Sequence, residues 1–209
     1  MNKTLESIAQ AIFKRWFVDF EFPGYKKTKF VNGLPEGWRY GALGEIISIG
    51  SGKRPGDKSE TKTQGFNVPL IGASSVMGFV EDSLYNEPIL IIGRVGTHGV
   101  VQRVSRPSFP SDNTLVIRSK YFEFVYQILK TIDYGTLNVG TTQPLITQSA
   151  INKYGVVVPS NEVLEQFEVY ISGLFKKVLA NNRENESLAG IRDSLLPRLM
   201  SGRIRVGVL

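Results

Sequence analysis

The sequence predicts an α+β protein: a mixed, β-rich globular domain followed by one long helix with the rhythm of a coiled coil. Apolar residues recur at helical spacing from Leu164 to Leu199. They form a stripe of alternating three- and four-residue steps through Leu164, Phe167, Ile171, Leu174, Val178, Asn181, Asn185, Leu188, Arg192 and Leu195. Between Leu34 and Val158 the chain breaks instead into short runs of Val, Ile and Leu, punctuated by Gly and Pro. A third observation ties the ends together. NKTLESIAQAIFKR, from Asn2, aligns without a gap with NESLAGIRDSLLPR, from Asn185, at a constant interval of 183 residues. Shared amphipathic spacing accounts for the Leu and Ile pairs, but the matches of Asn2 with Asn185, Thr4 with Ser187 and Arg15 with Arg198 favour a true repeat. The expected organisation is a short amphipathic helix and basic linker (1–30), a globular domain (31–159), and a long helix with a short tail (160–209).

Thr4–Phe17 reads as a helix with Leu5, Ile8, Ala9, Ile12 and Trp16 on one face, ending in the aromatic cluster Trp16, Phe17, Phe20 and Phe22. A helix this short is marginal alone in water, so it needs a surface, and the long helix of this or another subunit is the expected one. Lys26, Lys27 and Lys29 mark a solvated basic connection. LPEGW at Leu34–Trp38 is a Pro-Gly turn anchored by Trp38, and Leu43–Ile49 is strand-like. Ser51–Gly65 follows as a polar loop expected to be mobile. Gly50-Ser-Gly-Lys53 lacks the glycine and the Ser or Thr that a P-loop requires.

VPLIGAS, VMGFVED and EPILIIGR are short β-type runs leading to Gly93-Arg-Val-Gly-Thr-His-Gly99. A strand, not a helix, follows those glycines, so the segment is a hairpin tip and not a dinucleotide fingerprint. Its glycines either bring backbone close to a ligand or simply make a tight turn beside a structural Arg94. Asp112 and Asn113 are expected to hold a turn before the strand ending at Ile117. Phe122–Ile132 is a helix, Asp133–Thr142 a Gly, Thr and Asn loop, and Val156–Val158 the last strand. The long helix then has Ser160 or Asn161 as cap, Glu162 and Glu165 near its positive end, and Pro197 interrupting its last turns. Roughly 35 residues at ~1.5 Å each reach on the order of 50 Å, longer than one small domain needs.

Composition narrows the chemistry. Hydrophobic residues are 42% and charged residues 21%, and no segment approaches the ~20 apolar residues of a membrane span, so a soluble cytoplasmic protein without membrane contact is expected. With no cysteine and one histidine, His98, the chain has neither disulfides nor ligands for Cys or paired-His zinc sites, and any His-dependent chemistry must pass through His98. The net charge of +6 favours a polyanionic partner. The candidate contacts for one are Lys53, Arg54, Lys58 and Lys62 in the polar loop, Arg94, Thr97 and His98 in the hairpin tip, and Thr142 and Gln143 in the later loop. No catalytic or metal-binding residue is assigned.

The ordered motifs LPEGW, LGEI, PLIGAS, GFVED, EPILIIGRVGTHG, PSDNTLVI, TTQPLITQSAINKYGVVVPS, EQF and RDSLLPRLMSGRIRV span nearly the whole chain. Together they resemble the specificity (S) subunit of type I restriction-modification systems. The resemblance implies that Val31–Pro159 form a target recognition domain and that the long helix is a spacer. It also implies a noncatalytic reader of double-stranded DNA working with two methyltransferase (M) subunits and, for cleavage, restriction (R) subunits. S-adenosylmethionine, Mg and ATP would belong to those partners, leaving this chain without a cofactor. Family members usually carry two recognition domains and two spacers, whereas this chain has one of each. It is then either a half-subunit pairing with a second copy or the second half of a longer chain. A regulatory half-subunit that assembles with full S or M subunits without reading DNA alone is the alternative. The stripe residues Leu164, Phe167, Ile171, Leu174, Val178, Asn181, Asn185, Leu188 and Leu195, with Ile8, Ile12 and Trp16, are the expected dimer or partner interface.

Overall fold

The computed structural model describes residues 1–95, 99–137 and 145–204. Its elements are α1 (Asn2–Phe17), β1 (Phe30–Val31), β2 (Leu34–Pro35), β3 (Arg39–Ala42), β4 (Ser48–Ser51), β5 (Val68–Ile71), β6 (Val76–Val80) and β7 (Ile89–Gly93). There follow β8 (Val101–Val104), β9 (Phe109–Pro110), β10 (Thr114–Arg118), α2 (Phe122–Thr131), α3 (Gln148–Asn152), β11 (Gly155–Val158) and α4 (Asn161–Met200). The β-rich domain and the long helix are those the sequence predicts. The chain divides into two compact units, Phe13–Glu168 and a second made of Met1–Ile12 with Val169–Leu209. The first therefore takes in the aromatic end of α1 and the first turns of α4, wider at both ends than 31–159.

Within Phe13–Glu168 the central layer is an antiparallel sheet in the order β4-β10-β7-β8. Its two inner strands are buried along nearly their whole length. That is why ILII and TLVI read as continuous apolar runs instead of alternating ones: both faces are covered. Ile89, Ile91 and Val116 pack with Ile71 of β5, while Leu90 and Ile92, pointing the other way, are equally buried. A second sheet, β6-β5-β9, pairs β5 antiparallel with β6 and parallel with β9, and β11 pairs with β3. The strand predicted over Leu43–Ile49 starts later, at Ser48, after a 3-10 turn at Leu43–Glu45.

An aromatic cluster holds the helices of this unit. The Phe167 ring lies 4.9 Å from Phe17, 5.6 Å from Trp16, 6.1 Å from Phe13 and 6.4 Å from Phe124. The buried face of α1 is thus Ala9, Phe13, Trp16 and Phe17; Ile8 is exposed and Ile12 only half-buried, because the aromatic cluster rotates the helix away from the expected Ile stripe. The N-terminus of α2 has no side-chain cap of its own. The Glu168 carboxylate of α4 accepts instead from the N–H groups of Glu123 (3.0 Å) and Phe124 (2.9 Å). Beside it the largely buried guanidinium of Arg103 pairs with Glu123, with a second bond of 2.8 Å.

In the other unit, Ala9 of α1 and Ile171, Phe175 and Val178 of α4 are buried. Asn2 clasps α4: its Nδ2 donates to Asn182 Oδ1 at 2.6 Å, and its Oδ1 accepts from Asn181 Nδ2 at 2.8 Å. Several residues expected at a partner interface prove to be internal. Leu164, Phe167, Ile171, Val178 and Trp16 are covered within this chain, and Asn181 serves an intrachain bond. Leu174 is half-buried, while Asn185, Leu188 and Leu195 remain exposed, together with Ile191, Leu196 and Leu199. Pro197 does not interrupt α4, which continues to Met200 with the Pro197 carbonyl accepting from Ser201 N–H. At the other end Asn161 Oδ1 accepts the Tyr121 hydroxyl at 2.9 Å, and Glu165 pairs with Lys120 at 2.9 Å.

Candidate nucleic-acid interface

The antiparallel order of the central sheet brings the C-terminal ends of β4 and β7 and the N-terminal ends of β10 and β8 to one end. From there the polar loop and the turn before β10 are joined by backbone bonds. Gly52 N–H donates to the Thr114 carbonyl at 3.1 Å, and Lys53 N–H to the Pro110 carbonyl at 3.0 Å. A Cβ on Gly52 would run into the carbonyl oxygens of Pro110 and Ser111, so only glycine allows this approach. Arg94 N–H donates to the Asn113 carbonyl at 2.9 Å, and the Arg94 carbonyl accepts from Ile146 N–H at 2.9 Å. The turn before β10 is closed by Thr114, whose hydroxyl donates to the Ser111 carbonyl at 2.6 Å. Asp112 and Asn113, expected to hold that turn with their side chains, are exposed and, among the described residues, make no side-chain hydrogen bond.

The 51–65 loop, expected to be mobile, is pinned at two points. Lys53 bridges Ser111 in parallel, and Ser59 bridges Phe79 antiparallel with bonds of 2.8 Å in both directions. Arg54 and Lys58 therefore lie on a segment that crosses from beside β9 to the outer edge of β6. The β5–β6 turn joins the same end: Ser111 N–H donates to the Ile71 carbonyl at 2.9 Å, and Gln102 Nε2, at the start of β8, to the Gly72 carbonyl at 2.8 Å. Beneath Gly99, which has a positive φ of 81°, lies the buried ring of Tyr134. Its hydroxyl donates to the Leu129 carbonyl at 2.9 Å, and burial, reinforced by Tyr154, raises its pKa and keeps it neutral.

Of the sequence candidates, the structure thus brings Lys53 and Arg94 to one rim with Arg54 beside Lys53, and it carries Lys58 next to the Ser59 bridge. Lys53, Arg54, Lys58 and Lys62 are exposed and Arg94 half-buried; none forms an ion pair among the described residues. By contrast Arg15, Arg39, Arg103, Arg118 and Lys120 are each paired with an acid. Thr97, His98, Thr142 and Gln143 lie outside the described residues. Sequence reasoning missed the exposed tip Ser74–Met77 and the bond from Gln148 Nε2 to Ser51 Oγ at 3.0 Å. The glycines at 72 and 78 were the signal for the first; nothing local signals the second. Among the described residues no group of three His, Cys, Asp or Glu side chains could hold a metal, and no helix is long and apolar enough to cross a membrane.

The β-rich domain thus gathers at one rim cations that form no ion pair among the described residues. Residues 35–187 match the type I restriction modification DNA specificity domain, and the chain belongs to that family. It is 28% identical over 238 residues to the type I restriction enzyme MjaIX specificity subunit of Methanocaldococcus jannaschii, covering 98% of this chain and 54% of that protein. It is 26% identical over 288 residues to the HindI specificity subunit of Haemophilus influenzae, covering 98% of this chain and 62% of the other. Among solved structures, the S subunit from M. genitalium superposes with a TM-score of 0.68 at 18% identity, over 95% of this chain and 54% of that one. A chain from a structure concerning complex assembly and conformational transition of the type I R-M system gives 0.56 at 16%, over 93% and 50%. These likenesses show a shared fold. The chain spans 54% and 62% of the length of the two curated relatives.

Proposed function

We propose that this chain is a noncatalytic, sequence-specific DNA-recognition subunit of a type I restriction-modification system. The observation that carries the reading is the convergence of Lys53, Arg54 and Arg94 on one rim of a domain belonging to a DNA specificity family. Cations that have no acidic partner among the described residues neutralise phosphates, which gives affinity and salt dependence; hydrogen-bonding groups among them read base edges. Methyltransferase subunits, and restriction subunits for cleavage, supply the chemistry and hold S-adenosylmethionine, Mg and ATP. The complex acts in the cytoplasm. The exposed stripe at Leu188, Ile191, Leu195 and Leu199 receives the corresponding helix of a second copy, giving a homodimer that reads two half-sites of a bipartite target.

Mobility-shift titration of the full chain, alone and with its methyltransferase subunit, tests this. Expected are a preferred duplex and a linear fall of log affinity with log salt. Replacing Lys53, Arg54 and Arg94 by Gln flattens that line by about 0.9 for each phosphate no longer neutralised. Equal affinity for all duplexes in the presence of the methyltransferase subunit overturns the proposal. Light scattering that finds only a monomer removes the homodimer.

A further inference from the structure

The tip of the β5–β6 hairpin lies at the same end of the sheet as the rim and exposes two apolar side chains. Val76 is 45% exposed and Met77 47% exposed, preceded by the exposed Ser74 and Ser75. Elsewhere in this hairpin the apolar residues are withdrawn: Val68, Leu70 and Val80 form a buried cluster. Neither Val76 nor Met77 belongs to the buried clusters around this hairpin, and a short turn between strands tolerates polar residues freely.

The tip is also rigid where a merely surplus turn need not be. Gly72 N–H donates to the Ser75 carbonyl at 2.8 Å, closing the turn, and the Gly72 carbonyl is held by Gln102 from the neighbouring sheet. The Met77 side chain lies across Gly72. A register shift between Leu70 and Ile71 bends the ribbon just before the tip, the usual means of re-aiming side chains. On the other strand Gly78 takes a φ of 146°, and a Cβ there would stand 2.6 Å from the Ser59 carbonyl. That close approach straps the Lys58-bearing segment to the hairpin. A two-stranded ribbon fits the major groove of B-form DNA, where the only apolar group on a base edge is the thymine methyl.

We infer that the β5–β6 hairpin is a base-reading finger in which Val76 and Met77 contact thymine methyl groups in the major groove, while Lys58 and Lys53 flank it on phosphates. This rests on the DNA-reading function proposed above and deepens it: each half-site contains at least one A·T pair read through its methyl group. The hydroxyls of Ser74 and Ser75 face the neighbouring base edges.

The test uses the full chain with its methyltransferase subunit and a duplex selected by that complex from a randomised pool. Each thymine of the selected duplex is replaced singly by uracil, which removes only the methyl, and binding is measured for the natural chain, Val76→Ala, Met77→Ala and the double variant. At one or two positions uracil weakens the natural chain roughly three- to fivefold. At those positions the double variant binds thymine and uracil duplexes equally, while its thermal melting and salt dependence match the natural chain, and Met77→Leu restores part of the discrimination. A selected half-site without thymine, or a double variant that keeps the full thymine preference, overturns the assignment while leaving DNA recognition standing. A pool that yields no preferred duplex overturns DNA recognition itself, and this assignment with it.

Discussion

Glu168 offers a sharp test of how α4 is attached to the domain it begins in. Its carboxylate is mostly buried, and burial pushes its pKa from 4.5 up to about 7; the N–H groups of Phe124 and Glu123 pull the other way, Glu123 pushes up further and Arg103 draws it down. The native state therefore holds a proton that the unfolded chain releases near its ordinary value. From that difference follows the sign: the contribution is fully present below pH 4.5 and is lost as pH rises through about 7. The interval from 4.5 to about 7 corresponds to roughly 3 kcal/mol. Glu168→Gln cannot ionise, and it keeps one acceptor for the two N–H groups, so it starts about 1 to 2 kcal/mol less stable at pH 5. Urea unfolding of both proteins across pH 5 to 8.5, compared pH by pH, cancels the titration of all other groups. The variant should gain on the natural chain as pH rises, by up to about 3 kcal/mol. A constant difference, or one that moves against the variant, would mean that Glu168 caps α2 as an ordinary ionised carboxylate and that the burial argument is wrong.

Other substitutions probe other joints. Phe167→Ala removes a fully buried ring shared by Phe13, Trp16, Phe17 and Phe124, and should cost about 3 to 5 kcal/mol in denaturant unfolding. Arg103→Met leaves Glu123, 5% exposed, without its ion pair, and should cost a similar ~3 to 5 kcal/mol at neutral pH, much less in the double variant with Glu123→Gln. Thr147→Ala deletes the hydroxyl that accepts from Ala150 N–H at 3.1 Å at the start of α3, for a loss of about 1 kcal/mol by thermal melting. Gly52→Ala sets a Cβ against the carbonyls of Pro110 and Ser111; the displaced Lys53 segment should lower DNA affinity far more than it lowers the melting temperature, measured on the same preparation.

The elements that sequence reasoning found are those whose residues announce themselves by period or punctuation. ILII and TLVI lie in the doubly covered strands, where continuous apolar character is required, and α2 and α4 follow their helical stripes. The fine position of a face was less legible. For α1, Ile8 and Ile12 fit a helical period as well as Phe13 and Phe17 do, and the choice is made by rings on other elements, chiefly Phe124 and Phe167. Long-range pairing left no local trace either: β3 joins β11 across more than a hundred residues. At the rim, charge singled out Lys53 and Arg94, which the fold places at one end of the sheet, but composition suggested a loose loop where Gly52 and Gly78 fasten it. Those two glycines look like any loop glycine until the backbone they approach is known.

The repeat between the chain's ends acquires a physical meaning once burial is known for both copies. Carried on by the same interval, Phe13, Trp16 and Phe17 of α1 correspond to Leu196, Leu199 and Met200 of α4. The first three are buried, the last three exposed. Equivalent positions on equivalent helices thus differ in cover and not in character, since all six are large and apolar. Phe13 and Phe17 find their cover in Phe124 and Phe167, and Asn2 clasps Asn181 and Asn182. Asn185 stands where Asn2 does in the repeat and is exposed. An exposed apolar row of this kind is costly in water, and its sequence is already matched to one type of surface. The partner that completes α4 should therefore present an aromatic-lined face and an amide clasp like those this chain offers to its own α1. In this chain α1 already occupies both.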